Sequence, residues 1–173
     1  MEEAAIMYDF YAWCDGACEP RNPGGWGIAA YVLETWDGKP VRREAINMGR
    51  HSWMTSNRCE YHAVQALLDV AIGLRAKSLV RGDAKSRISV LLRTDSMLVV
   101  KQITGEWNCN AEHLIEARNA CRERLKELSK SGVEVDLEWV PREENTKADT
   151  LSKSLYDEET LAAMRLREAS KRR

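Results

Sequence analysis

The 173-residue chain predicts an α/β domain built on a five-stranded mixed sheet, strand order 3-2-1-4-5, with helices on both faces. Three observations predict it. The first third reads as three successive strands separated by Pro/Gly-rich turns, and the remainder alternates strand and helix periods. Apolar residues at 44% and charged residues at 31% fit a globular chain rather than a disordered or fibrous one. A domain of this length buries roughly 70% of the surface its unfolded chain exposes, so one core suffices without staples.

Taken in order, residues 8–14 alternate as a first strand that stops at Asp15-Gly16, and the turn over 19–25 carries Pro20, Pro23, Gly24 and Gly25. A second strand covers 26–34, Asp37-Gly38 signals a hairpin, and 41–49 returns antiparallel. From 57 to 75 the period becomes helical, with Cys59, Ala63, Ala66, Leu67, Val70, Ala71 and Leu74 on one stripe. Residues 87–94 read as a central parallel strand, apolar on both faces. Helices over 96–103 and 111–130, a strand over 133–140, a helix over 145–155 and a charged helix or tail over 158–170 complete the chain. Residues 1–155 are expected to form the catalytic domain, and 156–173 the charged C-terminal helix or tail.

Charge and thiols narrow the setting. The 26 basic and 27 acidic residues nearly cancel, so any polyanionic partner has to be met by locally placed groups. The longest uncharged stretch, 22–33, falls short of the ~18 residues that span a bilayer, so no membrane partner is expected. Met1-Glu2-Glu3 offers no basic cluster before an apolar run, and five cysteines are an odd number for a disulfide framework. A cytoplasmic monomer with reduced thiols is expected. Cys14, Cys18 and Cys59 lack a fourth ligand at finger spacing, which speaks against zinc.

In a sheet of this order ligands gather where the winding direction reverses, between the first and fourth strands. Asp15 is read as ending the first of these and Asp95 as ending the fourth. Two carboxylates that close repel unless a cation lies between them. Glu60 and Asp149, each near a helix start, can lean over the same strand ends. Four oxygen donors without a histidine or cysteine describe a site for Mg²⁺ or Mn²⁺. Taken singly, each has an ordinary reading: Asn57 to Glu60 fits a capping box, Asp149 complements a helix N-terminus, and Asp15-Gly16 and Thr94-Asp95-Ser96 fit turns.

Several motifs occur together and in order. Cys14-Asp15-Gly16-Ala17-Cys18 precedes Asn22-Pro23-Gly24-Gly25-Trp26-Gly27 and Thr55-Ser56-Asn57-Arg58-Cys59-Glu60-Tyr61. Thr94-Asp95-Ser96 follows, then Trp139-Val140-Pro141-Arg142-Glu143-Glu144-Asn145 with Ala148-Asp149-Thr150-Leu151. Together they resemble type 1 ribonuclease H over residues 8–155, and the resemblance implies the ribonuclease H-like fold. It implies hydrolysis of the RNA strand of RNA–DNA hybrids by two Mg²⁺ ions, with Mn²⁺ able to substitute, leaving 3′-hydroxyl and 5′-phosphate ends. By position, Asp15 would bridge both ions, Asp149 would hold the one that activates water, and Glu60 and Asp95 the one at the leaving oxygen. Asn22, Gly16, Thr55, Asn57 and Asn110 would contact the hybrid, which the family reads by shape, 2′-hydroxyls and backbone.

The chain also departs from the family pattern. Its histidines, His51, His62 and His113, are all outside the loop before the last aspartate, where many members carry one, and Arg142 stands there instead. Arginine shuttles no protons near neutral pH, so its expected role in catalysis is electrostatic. The basic handle of larger members is absent, with only residues 105–110 between the two helices concerned. The basic residues Arg75, Lys77, Arg81, Lys85, Arg87 and Arg93, set against Asp83, are read as a solvated loop insertion. Ser56 and Met97 replace amide side chains common in the family, which weakens hybrid contacts. The basic end, Arg165, Arg167, Lys171, Arg172 and Arg173, is expected to be a secondary electrostatic contact for hybrid. Two other readings stay open: a related nuclease core acting on DNA, and a hybrid-binding module without turnover.

Overall fold

The computed structural model describes residues 7–171 apart from 83, 84 and 86; Met1, Glu2, Glu3, Asp83, Arg172 and Arg173 lie outside the described residues. Alternation along β1 (Phe10–Glu19) sets the two faces of the sheet. Ala12 and Cys14 point into the main core, whereas Trp13 points into a second, smaller cluster on the opposite face.

β2 (Trp26–Thr35) and β3 (Pro40–Arg50) follow antiparallel to β1 and to each other. After α1 (Ser56–Arg81), β4 (Ile88–Thr94) joins β1 in parallel. α2 (Met97–Thr104) and α3 (Glu112–Lys130) lead to β5 (Val133–Trp139), parallel to β4. α4 (Thr146–Lys153) and α5 (Glu158–Lys171) close the described chain. The sheet order is β3-β2-β1-β4-β5, as the sequence predicts.

One face buries Val64, Leu67 and Leu68 of α1 and Cys121 and Leu128 of α3 against Tyr31, Val90 and Leu92. The other face holds Ala148 of α4 against Trp13 and Val32, with Met164 of α5 and Tyr156 against Ile28. Among the described residues no helix is long and apolar enough to cross a membrane.

Five expectations are corrected. Asp15 does not end β1, because β2 continues to pair with it as far as Glu19 opposite Trp26. Parallel pairing with β4 stops at Cys14 opposite Thr94, so Asp15 is one residue beyond that ladder although it is mid-strand. The Asp-Gly pair is not a turn here: a Cβ on Gly16 would lie 2.0 Å from the backbone nitrogen of Glu60, so only glycine lets α1 approach β1.

The helix predicted to end at Arg75 runs on to Arg81 and stops at Gly82, whose φ of 73° is the left-handed cap. Arg75 is buried, donating to the carbonyls of Ser131 and Lys85 at 2.8 Å each. Arg93 lies in β4 against Glu138, and Lys85 pairs with Asp9. The supposed solvated loop is therefore helix as far as Arg81 and strand from Ile88. Finally, Thr55 and not Asn57 caps α1, its hydroxyl accepting from the Arg58 N–H at 3.3 Å. Glu60 thus lies beyond the capping positions, and the capping-box reading of it fails.

Gly16→Ala should destabilise the protein by at least about 3 kcal/mol, because backbone rather than a flexible side chain must give way. Urea unfolding followed by far-UV dichroism checks this.

Candidate active site

The reversal between β1 and β4 brings Asp15, Glu60 and Asp95 together, with one carboxylate oxygen from each lying within 4.8 Å of the others. Asp15 accepts a hydrogen bond from the Ser152 hydroxyl of α4. Asp95, immediately after β4, accepts from Asn145 Nδ2 at 2.8 Å. The same Nδ2 donates to the carbonyl of Cys14 at 2.8 Å, so one buried amide ties β1 to the end of β4. Glu60 reaches in from α1, and its Oε2 is buried without a hydrogen-bond partner among the described residues.

Asp149 lines the same cleft, of about 150 Å³, but stands apart from the trio. Its carboxylate is held by Arg142 Nη2 at 3.0 Å and Lys153 Nζ at 2.7 Å. A wider groove of about 680 Å³ between α4 and β3 contains one acid, Glu34, already paired with Lys147, so chemistry rather than volume locates the site.

Burial raises the Asp15 carboxyl to about 6; the Ser152 hydrogen bond opposes this, while Asp95 and Asp149 add to it. Burial, reinforced by Asp15 and Asp95, lifts Glu60 well above the usual carboxyl range. Three converging carboxylates, one with an orphaned buried oxygen, form a donor set that suits a hard divalent cation. Cys14, Cys18 and Cys59 are buried free thiols, and burial pushes Cys59 up to about 12, which keeps it protonated.

The predicted contact residues are spread more widely. Gly16 lines the cleft, pressed against α1. Asn22 and Ser56 hold each other, Nδ2 donating to the Ser56 hydroxyl at 2.9 Å and the Ser56 N–H to Oδ1 at 3.2 Å. This pins the Pro/Gly turn onto the start of α1. Thr55 and Asn57 flank that start, and Asn110 is exposed on the α2–α3 connection; none of these three lines the cleft among the described residues.

Sequence reasoning gave no role to Asn145, Ser152 or Lys153. For the last two a signal existed: three and four residues after Asp149, they share its side of a helix.

A sheet of this order with acids converging at the β1/β4 reversal defines the ribonuclease H-like class. Residues 14–155 match the family described as reverse transcriptase-like, and the chain belongs to it. It is similar to type 1 ribonucleases H. Ribonuclease HI of Halobacterium salinarum is 32% identical over 148 residues, covering 86% of this chain and 64% of that protein. The crystal structure of RNase H1 from that archaeon aligns with a TM-score of 0.66 at 31% identity, over 84% of this chain and 96% of the other. The N-terminal RNase H domain of a Mycobacterium tuberculosis protein aligns at 0.67 and 26% identity, over 86% and 98%. This chain spans 64% of the length of the Halobacterium relative and 32% of the full mycobacterial bifunctional protein.

The raised Asp15 carboxyl has a stability consequence with a definite sign. Between the ordinary value of 3.8 and about 6 the folded protein binds more protons than the unfolded chain, so metal-free stability falls as pH rises through that window. Asp15→Asn removes this loss. Its stability relative to wild type should therefore grow from pH 4 to about 6 and then level off, as read by chelator-treated thermal melts.

Proposed function

We propose that this chain is an endoribonuclease that hydrolyses the RNA strand of RNA–DNA hybrids, acting as a cytoplasmic monomer. The observation that carries the proposal is the convergence of Asp15, Glu60 and Asp95 around the orphaned Glu60 oxygen. Membership of the family and the names of its relatives, ribonuclease HI and RNase H1, supply the substrate class. Five free thiols accord with a reducing compartment. Residues 1–155 constitute the catalytic domain, with 156–173 as an accessory C-terminal segment.

Asp15, Glu60, Asp95 and Asp149 would hold two Mg²⁺ ions, replaceable by Mn²⁺, which supply an activated water and charge stabilisation for in-line displacement at phosphorus. Water attacks phosphorus, the bond to the 3′ oxygen breaks, and a proton passes to that oxygen. The products are a 3′-hydroxyl and a 5′-phosphate.

The chain's own groups do the positioning. Ser152 and Asn145 fix the Asp15 and Asp95 carboxylates. Arg142 and Lys153 pair with Asp149, and Arg142 is exposed enough to turn toward a substrate phosphate. Asn22, Gly16, Thr55, Asn57 and Asn110 are assigned to the hybrid backbone.

Matched RNA–DNA hybrid, duplex DNA and duplex RNA, each with Mg²⁺ and with chelator, test the proposal. Cleavage confined to the RNA of the hybrid and abolished by chelator is expected; cleavage of duplex DNA would favour a related DNA nuclease instead. Asp15→Asn should abolish turnover, and Mg²⁺ should raise its melting temperature by clearly less than that of wild type. Arg142→Ala should lower kcat by about tenfold, consistent with the loss of one charge-assisted phosphate contact, and leave the Mg²⁺-dependent melting shift in place.

A further inference from the structure

α5 lies beyond residues 14–155, the segment that carries the family match, yet it is seated beside the cleft. Leu161 and Met164 pack with Tyr156 onto Ile28 and Ala17, and the Tyr156 hydroxyl donates to the Trp26 carbonyl at 3.1 Å. Met164 lines the carboxylate cleft and also a second, polar pocket of about 310 Å³ that adjoins it. Glu19, Ser56 and Arg142 line both hollows as well, so the two form one continuous trough.

The polar pocket combines donors of the kind a phosphodiester needs with two carboxylates, Glu19 and Glu168, that counter the charge of its two arginines. Asn22 and Ser56 stand on one wall, and the guanidinium groups of Arg142 and Arg167 also line it. Arg167 is three residues after Met164, so the turn of α5 that anchors the helix also aims this side chain at the pocket. Its Nη2 is bonded to Glu19, but 40% of the side chain remains exposed, leaving the guanidinium reachable. A pocket of this size is at the lower end of the roughly 300 to 1,000 Å³ that small-molecule sites occupy, and matches one nucleotide unit rather than a duplex.

We propose that this pocket is a subsite for the RNA-strand phosphate next to the scissile one, and that Arg167 of α5 binds it, with Glu19 competing for the same guanidinium in the free protein. The inference rests on the nuclease reading above. It replaces the expected diffuse contact of the basic C-terminal end by one residue with one ligand. Arginine suits the task because its planar fork can give two charge-assisted bonds to phosphate oxygens.

Steady-state cleavage of a defined hybrid by the full chain, across a KCl series of about 50 to 250 mM, separates this from a purely structural Arg167–Glu19 pair. Arg167→Ala should raise KM by ~5-fold, more than it lowers kcat, and should reduce the slope of log KM against log salt by roughly 0.7 to 0.9, the signature of one phosphate contact. Glu19→Gln frees Arg167 without neutralising it and should lower KM. A structural pair predicts the same direction for both variants, since each breaks the same bond, and that result would overturn the proposal. So would an Arg167→Ala enzyme with wild-type KM and salt slope. Wild-type protein that leaves the hybrid intact would instead overturn the nuclease reading, and this inference with it.

Discussion

The approach of α1 to β1 at Gly16 is the constraint on which the site depends. With no side chain at that position, the backbone of Glu60 settles where a Cβ would otherwise lie, and the Glu60 carboxyl is carried into the sheet end beside Asp15. Depth has an electrostatic cost: both carboxyls are pushed upward, chiefly by burial and then by their acidic neighbours. The same closeness that would bind a divalent cation makes the metal-free cleft self-repelling. Binding and instability are two readings of one distance.

Around those acids the protein distributes its polar partners unevenly. Asp15 has the Ser152 hydroxyl and Asp95 has the Asn145 amide, both neutral groups that orient a carboxylate without cancelling its charge. Asp149 instead has two cations, Arg142 and Lys153, and stays out of the trio. A buried amide holding both the Cys14 carbonyl and Asp95 also couples the geometry of β1 to that of β4. Asn145→Leu would take the shared amide donor away from both of those acceptors at a fully buried position.

Sheet order and the convergence of Asp15, Glu60 and Asp95 were legible because each rests on a local pattern: strand periods in a recognisable order, and acids within motifs of fixed spacing. What escaped depended on tertiary contact. Asp15-Gly16 reads locally as a turn, and only the presence of α1 behind it explains why the strand continues. The basic residues after Leu74 looked like a solvated loop, because nothing in their spacing reveals that Arg75 is swallowed to satisfy the carbonyls of Ser131 and Lys85. Asn145 is a residue type that caps helices everywhere, and the spacing of Ser152 from Asp149 pointed to the cleft but not to Asp15, so their hold on Asp95 and Asp15 became visible only once α4 was docked. For α5, the sequence left helix and tail both open and showed no seat, since its few apolar side chains give a weak stripe that only Ile28 and Ala17 complete.

The Asn145 amide and the Ser152 hydroxyl both belong to the segment that opens and forms α4, made after every strand of the sheet. A chain emerging from the ribosome therefore exposes β1 to β5 before the segment that brings the amide to Asp95 and the Cys14 carbonyl. Domains generally fold as units during synthesis, and here the unit closes late. The orientation of Asp95 and Asp15 by these two side chains is thus set by the last-made wall of the cleft, when α4 docks against the sheet.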